Sequence, residues 1–166
     1  DVYKRQAKYP VIQWQWKVDN ILQKGDITNK DGDDYSARIY ITFALDPDGA
    51  GYLERLKHEA AKVIFVQDVP YRANSYISES SSPAGTMVAN PYTDRVMMFV
   101  VQGGDEKVRQ WVTEKCNIHE DYKQAFGEEP PMISGVAIMT DTDNTRESVI
   151  AWYGDIIFTN DQTGLN

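Results

Sequence analysis

"YPVIQWQWKV", residues 9–18, decides the fold, because apolar and polar side chains alternate along it. Every second position is apolar, and these positions are Ile12, Trp14, Trp16 and Val18. Successive side chains of a β-strand point to opposite faces of its sheet, so the alternation predicts a strand with one buried face. Trp14 and Trp16 are therefore predicted to pack in the core.

Outward from this stretch, six further segments have the character of strands. "SARIYITFAL", residues 36–45, shows the same alternation. The others are dense in β-branched and apolar residues or alternate over a shorter length, and turn formers bound them, which is typical of strands in a sandwich. They are "AKVIFVQDV" (61–69), "RVMMFVVQG" (95–103), "RQWVTEKCNI" (109–118), "ISGVAIMTD" (133–141) and "SVIAWYGDIIF" (148–158).

Two short helices are predicted between the strands. "YLERLKHEAA", residues 52–61, spaces its apolar residues at helical intervals. In "HEDYKQAFGEEPP", residues 119–131, acidic residues come first, Gly127 stands where a helix would end, and two prolines follow. By contrast, "ISESSSPAGTMVANPYTD", residues 77–94, has the composition of an exposed loop.

The order of these elements indicates the fold class. Seven strands and two short helices without regular strand–helix alternation exclude a doubly wound α/β fold. We predict an all-β fold, an antiparallel, jelly-roll-like β-sandwich with two short helices. The chain of 166 residues suits one such domain, which we place at residues 7–160, followed by a C-terminal tail at residues 161–166.

The first six residues, "DVYKRQ", resemble the translation of a transposon-end adapter used in preparing sequencing libraries. We interpret residues 1–6 as a sequencing or cloning scar and leave them out of the fold prediction. The alternative is a natural basic segment. On the scar interpretation the chain is a metagenomic fragment whose natural beginning lies upstream.

Composition narrows the possible partners. The 17 basic and 25 acidic residues give a formal net charge of −8, which disfavours binding to nucleic acid or anionic lipid because both require clustered cations. Cys116 is the one cysteine in the sequence, so no internal disulfide can form, and we expect it to be a small buried apolar residue. No apolar run is long enough to predict a transmembrane segment. The sequence does not indicate an oligomeric state.

Five blocks of the sequence resemble the signature blocks of a bacterial domain-of-unknown-function family, number 3047. The blocks span residues 14–158 and are "WQWKVDN", "GDDYSARIYITF", "NIHEDYKQAFGEEPP", "GVAIMTDTDNT" and "AWYGDIIF". The resemblance implies an uncharacterised β-sandwich protein of the bacterial envelope, periplasmic or secreted. It also implies that this chain is N-terminally truncated, since members of the family begin with a secretory signal and further strands. It implies no catalytic residue.

A candidate metal site lies in "MTDTDNT", residues 139–145. Asp141, Asp143 and Asn144 could supply the oxygen ligands that calcium prefers, although the spacing is not that of an EF-hand. Calcium is the one cofactor that the sequence suggests. The alternative, which the residue types favour, is a turn whose Asp and Asn side chains accept hydrogen bonds from nearby backbone amides.

A second candidate site involves Arg38 and Tyr40, which are predicted to share one sheet face. A carboxylate of the 141–145 turn could form a bidentate pair with the Arg38 guanidinium. Such a pair would be a structural contact at the sheet rim or a clamp for a ligand, and the structural contact is favoured.

The strand aromatics are the third candidate. Trp111 shares its parity with Thr113 and Lys115, so it is the best candidate for a surface ring that stacks on a ligand, with Tyr40 and Tyr153 as further candidates. We predict non-catalytic binding of carbohydrate or another envelope component along one sheet face. The alternatives are a glycan-active hydrolase with paired carboxylates, for which Asp155 is the best single candidate acid, and a purely structural envelope protein.

Overall fold

The computed structural model describes residues 6–45 and 71–165, which form two packed β-sheets. A 3₁₀ turn spans Lys30–Gly32, and the helix α1 spans Ile118–Phe126. The described residues form eight strands, which are β1 (Val11–Val18), β2 (Ala37–Phe43), β3 (Arg72–Glu79), β4 (Met87–Asn90), β5 (Thr93–Gly103), β6 (Val112–Asn117), β7 (Ile133–Met139) and β8 (Ala151–Thr159).

One sheet has three strands in the order β6-β1-β8, and the other has five in the order β4-β5-β3-β2-β7. The predicted all-β, two-sheet architecture is confirmed. One pairing differs from the prediction, because β3 and β5 run parallel whereas all the other pairs are antiparallel. The chain leaves β3, reverses through β4 at the sheet edge, and reverses again so that β5 enters between them.

The main core lies between the two sheets, as the alternation in β1 and β2 predicted. Trp14 and Trp16 are fully buried, and the Trp14 ring lies 5.4 Å from that of Tyr76 in the opposite sheet. Trp16 Nε1 donates a hydrogen bond of 3.0 Å to Gln102 Oε1 across the sandwich. Cys116 is buried among these residues, as expected.

A second core covers the outer face of the five-stranded sheet. Its members are Ile27, Tyr35, Ile77, Met98 and Val100. Ile27 and Tyr35 belong to the connection between β1 and β2, which folds over the face that the inner core does not use. The central strands of this sheet are therefore buried on both sides.

This double burial corrects the predicted exposed loop at residues 77–94. Residues 77–79 end β3 and residues 87–90 form β4, so the connection itself is shorter. The composition of β3 is polar, and two of its buried side chains are held by hydrogen bonds: Asn74 Nδ2 donates to the Ile118 carbonyl at 3.3 Å, and Glu79 Oε2 accepts from Ser81 N at 2.8 Å. A hydrogen bond to a distant residue at Asn74 and one to the following turn at Glu79 help a polar segment to form a central strand.

The helix predicted after residue 118 is confirmed. Asn117 Oδ1 accepts hydrogen bonds from the amides of His119 and Glu120, which caps the first turn of α1. Gly127 ends the helix with φ = 72°, a conformation that glycine adopts without strain. The other predicted helix (52–61) and the predicted strand at 61–69 lie outside the described residues.

Residues near both ends of the chain contact the sandwich. Gln6 donates to the Pro131 carbonyl at 2.9 Å and accepts from Ile133 N at 2.8 Å. Lys115 Nζ pairs with Asp161 at 2.8 Å, which ties residues beyond β8 to β6. Across residues 6–45 and 71–165, no helix has both the length and the apolar character that crossing a bilayer requires.

Candidate functional site

The buried guanidinium group of Arg38 lies at the centre of the polar cluster that the sequence predicted. Arg38 alternates with the core residues of β2, so it occupies the outer face of the five-stranded sheet, where it is 2% exposed. Its Nη2 pairs with Asp141 Oδ2, and its Nη1 donates to the Tyr40 hydroxyl at 2.9 Å. The guanidinium also lies 4.7 Å from the centre of the Tyr35 ring.

The electrostatics of this pair indicate a structural role. Burial alone would lower the pKa of Arg38, but Tyr40 and Asp141 outweigh burial, so its pKa is raised and the group stays charged. Burial raises the pKa of Asp141, and the hydrogen bond from Arg38 opposes the rise. The predicted bidentate geometry is wrong, because Asp141 Oδ1 has no partner within the described part of the chain.

The acidic turn after β7 brings three carboxylates together. Oxygens of Asp34, Asp141 and Asp143 lie within 4.8 Å of one another, so the structure adds Asp34 to the predicted metal candidates. The two Asp34 oxygens accept hydrogen bonds from the backbone amides of Asn144 and Thr145, at 3.4 and 2.6 Å. Two of the three carboxylates therefore already have protein partners.

Asn144, the third predicted metal ligand, turns its amide nitrogen toward protein oxygens. Its Nδ2 donates to the Lys30 carbonyl and, at 3.0 Å, to the Tyr92 hydroxyl. The turn is thus hydrogen-bonded to the β1–β2 connection and to the turn between β4 and β5. This arrangement accounts for the acidic and amide side chains as elements of a turn.

An exposed aromatic surface lies on the outer side of the three-stranded sheet. Trp111, just before β6, is 54% exposed, and Trp152 in β8 is 40% exposed. Lys17 of β1 is directly opposite Trp152 in the strand register. Its Nζ lies 4.2 Å from the centre of the Trp152 ring and 5.7 Å from that of Trp111. We call Trp111, Lys17 and Trp152 the aromatic face.

Polar and small residues continue this surface along the sheet. Gln15 lies on the same face of β1 as Lys17, and Thr113 lies on the same side of the sheet as Trp111. Gln15 Nε2 donates a hydrogen bond of 3.2 Å to Thr113 Oγ1. Gly154 lies next to Gln15, and a Cβ at that position would come within 3.2 Å of the Gln15 Cβ. The surface beside the two tryptophans is therefore polar, and at Gly154 no side chain projects from it.

The structure separates the four predicted ligand-binding residues. Trp111 belongs to the aromatic face, whereas Arg38 and Tyr40 lie on the outer face of the other sheet. Tyr153 points between the sheets, where its hydroxyl donates to the Met139 carbonyl at 2.6 Å and accepts from Arg38 N at 3.2 Å. The structure therefore brings together Arg38, Tyr40 and Tyr153 but not Trp111.

Sequence reasoning missed two acids and assigned one wrongly. Asp155, the candidate acid of the sequence analysis, is exposed on β8. Burial instead raises the pKa of Glu114 to about 7 and that of Asp121 to about 6. Glu114 is two residues from the buried Cys116 in the same strand, so the two side chains share a sheet face. This spacing in the sequence indicated that Glu114 is buried.

The fold and the site define a class: a two-sheet β-sandwich with an exposed aromatic face on its smaller sheet and a buried arginine pair on the larger one. The chain belongs to the family described as "Protein of unknown function (DUF3047)", whose model matches residues 2–157. The resemblance seen in the sequence is thereby confirmed. Neither a curated protein nor a solved structure matched the chain.

Proposed function

We propose that this domain binds carbohydrate without cleaving it and that the aromatic face is the binding surface. The observation that supports the proposal is the pair of exposed tryptophan rings, Trp111 and Trp152, on either side of Lys17. Such rings offer flat apolar surface to the C–H faces of sugars, and an ammonium group and nearby amides can bind their oxygens.

The geometry favours the aromatic face over the Arg38 cluster. Both Nη atoms of Arg38 and the hydroxyls of Tyr40 and Tyr153 are engaged with protein partners, and the Arg38 side chain is almost wholly buried. A ligand would have to displace Asp141 to reach the guanidinium. We therefore assign these three residues to the support of the fold rather than to ligand contact.

We also propose that the domain works outside the cytoplasm, periplasmic or secreted, with an envelope component as ligand. The resemblance in sequence supports this location, and an exposed sugar-binding surface suits it. Fractionation of cells that express the full-length protein would test it, because recovery of the protein in the cytoplasmic fraction alone would contradict the proposal.

Retention on insoluble polysaccharides tests the binding surface. Cellulose, chitin and peptidoglycan would be mixed with the purified domain and washed, and bound protein would be measured. Trp111→Ala and Trp152→Ala should each abolish retention on the polysaccharide that holds the unchanged domain. Ile138→Ala, which removes an exposed apolar side chain from β7 in the other sheet, should retain it.

Two outcomes would overturn the proposal. If none of the polysaccharides retains the unchanged domain, or if Trp111→Ala is retained as well as the unchanged domain, the aromatic face does not bind glycan. Circular dichroism of each variant separates loss of binding from loss of fold.

Hydrolysis is the alternative function, and it requires an acid of raised pKa that faces a second carboxylate across an open cleft. Glu114 and Asp121 have raised pKa values, but Glu114 is 1% exposed and closed to a polymer, and among the described residues no second carboxylate lines the cavity that Asp121 faces. We therefore expect the bound polysaccharide to be recovered intact. Release of reducing ends above the buffer control would favour the hydrolase.

A further inference from the structure

A cavity of about 380 Å³ lies away from the aromatic face, among the five-stranded sheet, β6 and α1. Its volume is in the range of pockets that hold small molecules. The β3–β4 connection and the β5–β6 connection contribute to its walls. The aromatic face lies on the opposite side of the small sheet and shares no residue with it.

The lining of the cavity combines apolar and polar surface. The partly buried ring of Phe99 lines it and packs on the fully buried ring of Tyr76, with centres 5.5 Å apart and planes inclined by 34°. Cys116 and Met87 add sulfur-containing walls. Such a lining favours a ligand with a ring or a short hydrocarbon chain.

Two charged residues line the cavity, and they differ in exposure. The Lys107 side chain is exposed, whereas Asp121 is partly buried and accepts a hydrogen bond of 2.7 Å from the Tyr76 hydroxyl. The pKa of Asp121 is raised to about 6, chiefly by burial, while the hydrogen bond from Tyr76 lowers it and the charge of Glu120 raises it. At neutral pH the carboxylate is mostly ionised in a place where a cation would stabilise it.

We propose that this cavity binds a small organic amine, with the apolar body of the amine against Phe99 and Met87 and its ammonium group paired with Asp121. Charge complementarity selects this class of ligand, because the partly buried group in the lining is an anion. A carboxylate ligand would meet repulsion there, and a neutral analogue would lose the ion pair.

The pH dependence of binding follows from the groups around Asp121. The pKa values of Tyr76 and Cys116 are raised above the neutral range, so these two groups do not titrate between pH 5 and 8, and Lys107 is an exposed basic side chain. Glu120 is an exposed acid, and Glu114, beside Cys116, becomes neutral on the acid side of about pH 7. Protonation of Asp121 and of Glu114 each removes a negative charge that attracts the ammonium group of the ligand. We therefore expect amine affinity to fall roughly tenfold from pH 8 to pH 5.

Calorimetric titration at pH 8 tests the proposal with matched ligands. 2-Phenylethylamine and hexylamine are the amine probes, and 2-phenylethanol and 3-phenylpropanoate are the neutral and anionic analogues. We expect at least one amine to bind at least tenfold more tightly than the alcohol, and the acid not to bind. Asp121→Asn should weaken amine binding at least tenfold, whereas Glu106→Gln, the loss of an exposed acid outside the lining, should leave it unchanged.

Ala84→Trp keeps the proposal testable if Asp121→Asn does not fold, because it adds bulk to the lining and leaves the Tyr76–Asp121 hydrogen bond in place. It should abolish amine binding. Absence of binding by both amines, equal affinity for amine and alcohol, or full amine binding by Ala84→Trp or by folded Asp121→Asn would overturn the proposal. Loss of sugar retention does not bear on it, since the two surfaces are separate.

Discussion

Arg38 in β2 and Asp141 after β7 form a buried ion pair between residues 103 positions apart in the chain. The backbone amide of Arg38 also donates to the hydroxyl of Tyr153, which belongs to β8 of the other sheet. One short piece of β2 therefore contacts the β7–β8 connection through its side chain and the opposite sheet through its backbone. This junction holds the two sheets together at one end of the sandwich.

Removing one partner of this pair should destabilise the fold strongly. Asp141→Asn leaves the buried guanidinium without its counter-ion, which costs on the order of 3 kcal/mol in the free energy of unfolding. Asp143→Asn, two residues away and exposed, should change it by less than about 0.5 kcal/mol. Urea unfolding of both variants measures the difference.

A double-mutant cycle isolates the pair itself. Arg38→Met combined with Asp141→Asn should be less destabilised than the sum of the single variants, with a coupling of about 1–3 kcal/mol. Additive effects would mean that the two side chains contribute independently, contrary to the geometry.

Calcium should not stabilise the domain measurably. Asp141 is paired with Arg38 and Asp34 accepts two backbone hydrogen bonds, so an ion would have to displace these partners to use the carboxylates. Thermal unfolding in EDTA and in millimolar calcium should give the same midpoint. A rise of several degrees that Asp143→Asn removes would establish a calcium site at the turn.

Glu114 should make the domain less stable as the pH rises. Its pKa in the folded state, about 7, exceeds its ordinary value of 4.5, so the folded state binds its proton more tightly than the unfolded state. Stability from this group is therefore lost between about pH 4.5 and pH 7. Glu114→Gln should remove roughly 2 kcal/mol of the fall in unfolding free energy between pH 5 and pH 8.

Urea unfolding at several pH values measures this slope. Glu106→Gln serves as the control, because its carboxylate is exposed. An identical slope in Glu114→Gln and the unchanged domain would mean that Glu114 ionises normally in the fold.

The tryptophans should fall into two classes in fluorescence quenching. The sequence has 4 tryptophans, of which Trp14 and Trp16 are buried and Trp111 and Trp152 are exposed. Acrylamide should quench the exposed pair, and the double variant Trp111→Phe with Trp152→Phe should retain only emission that acrylamide hardly reaches. Strong quenching in the double variant would show that the inner tryptophans are accessible.

The alternation of apolar and polar residues predicted much of the fold because it reports directly on which face of a strand is buried. It identified β1 and β2, placed Trp14 and Trp16 in the core, and placed Trp111 on the surface. It failed for β3, where residues such as Asn74 and Glu79 are polar yet buried. Their hydrogen-bond partners lie in distant or connecting segments, and a local pattern carries no information about them.

Tyr153 was harder to assign for a physical reason. The register of β8 against β1 shifts between the partners of Trp14 and Trp16, so Ile156 and Tyr153, three residues apart, occupy positions opposite those two inner residues. An irregularity of this kind breaks the two-residue period, and counting along β8 then assigns its faces incorrectly. Tyr153 was therefore predicted to contact a ligand. Its hydroxyl instead forms hydrogen bonds with the backbone of Met139 in β7 and of Arg38 in β2.

The strict alternation in β1 makes one segment serve the interior and the exterior at once. Trp14 and Trp16 anchor the sandwich from one side of the strand, and Lys17 stands between the surface tryptophans on the other. A single-residue insertion or deletion within β1 would exchange the two sets, sending Lys17 inward and an indole outward. Single substitutions in this strand preserve the alternation, but its length is fixed both by the packing of the core and by the position of Lys17 between the surface tryptophans.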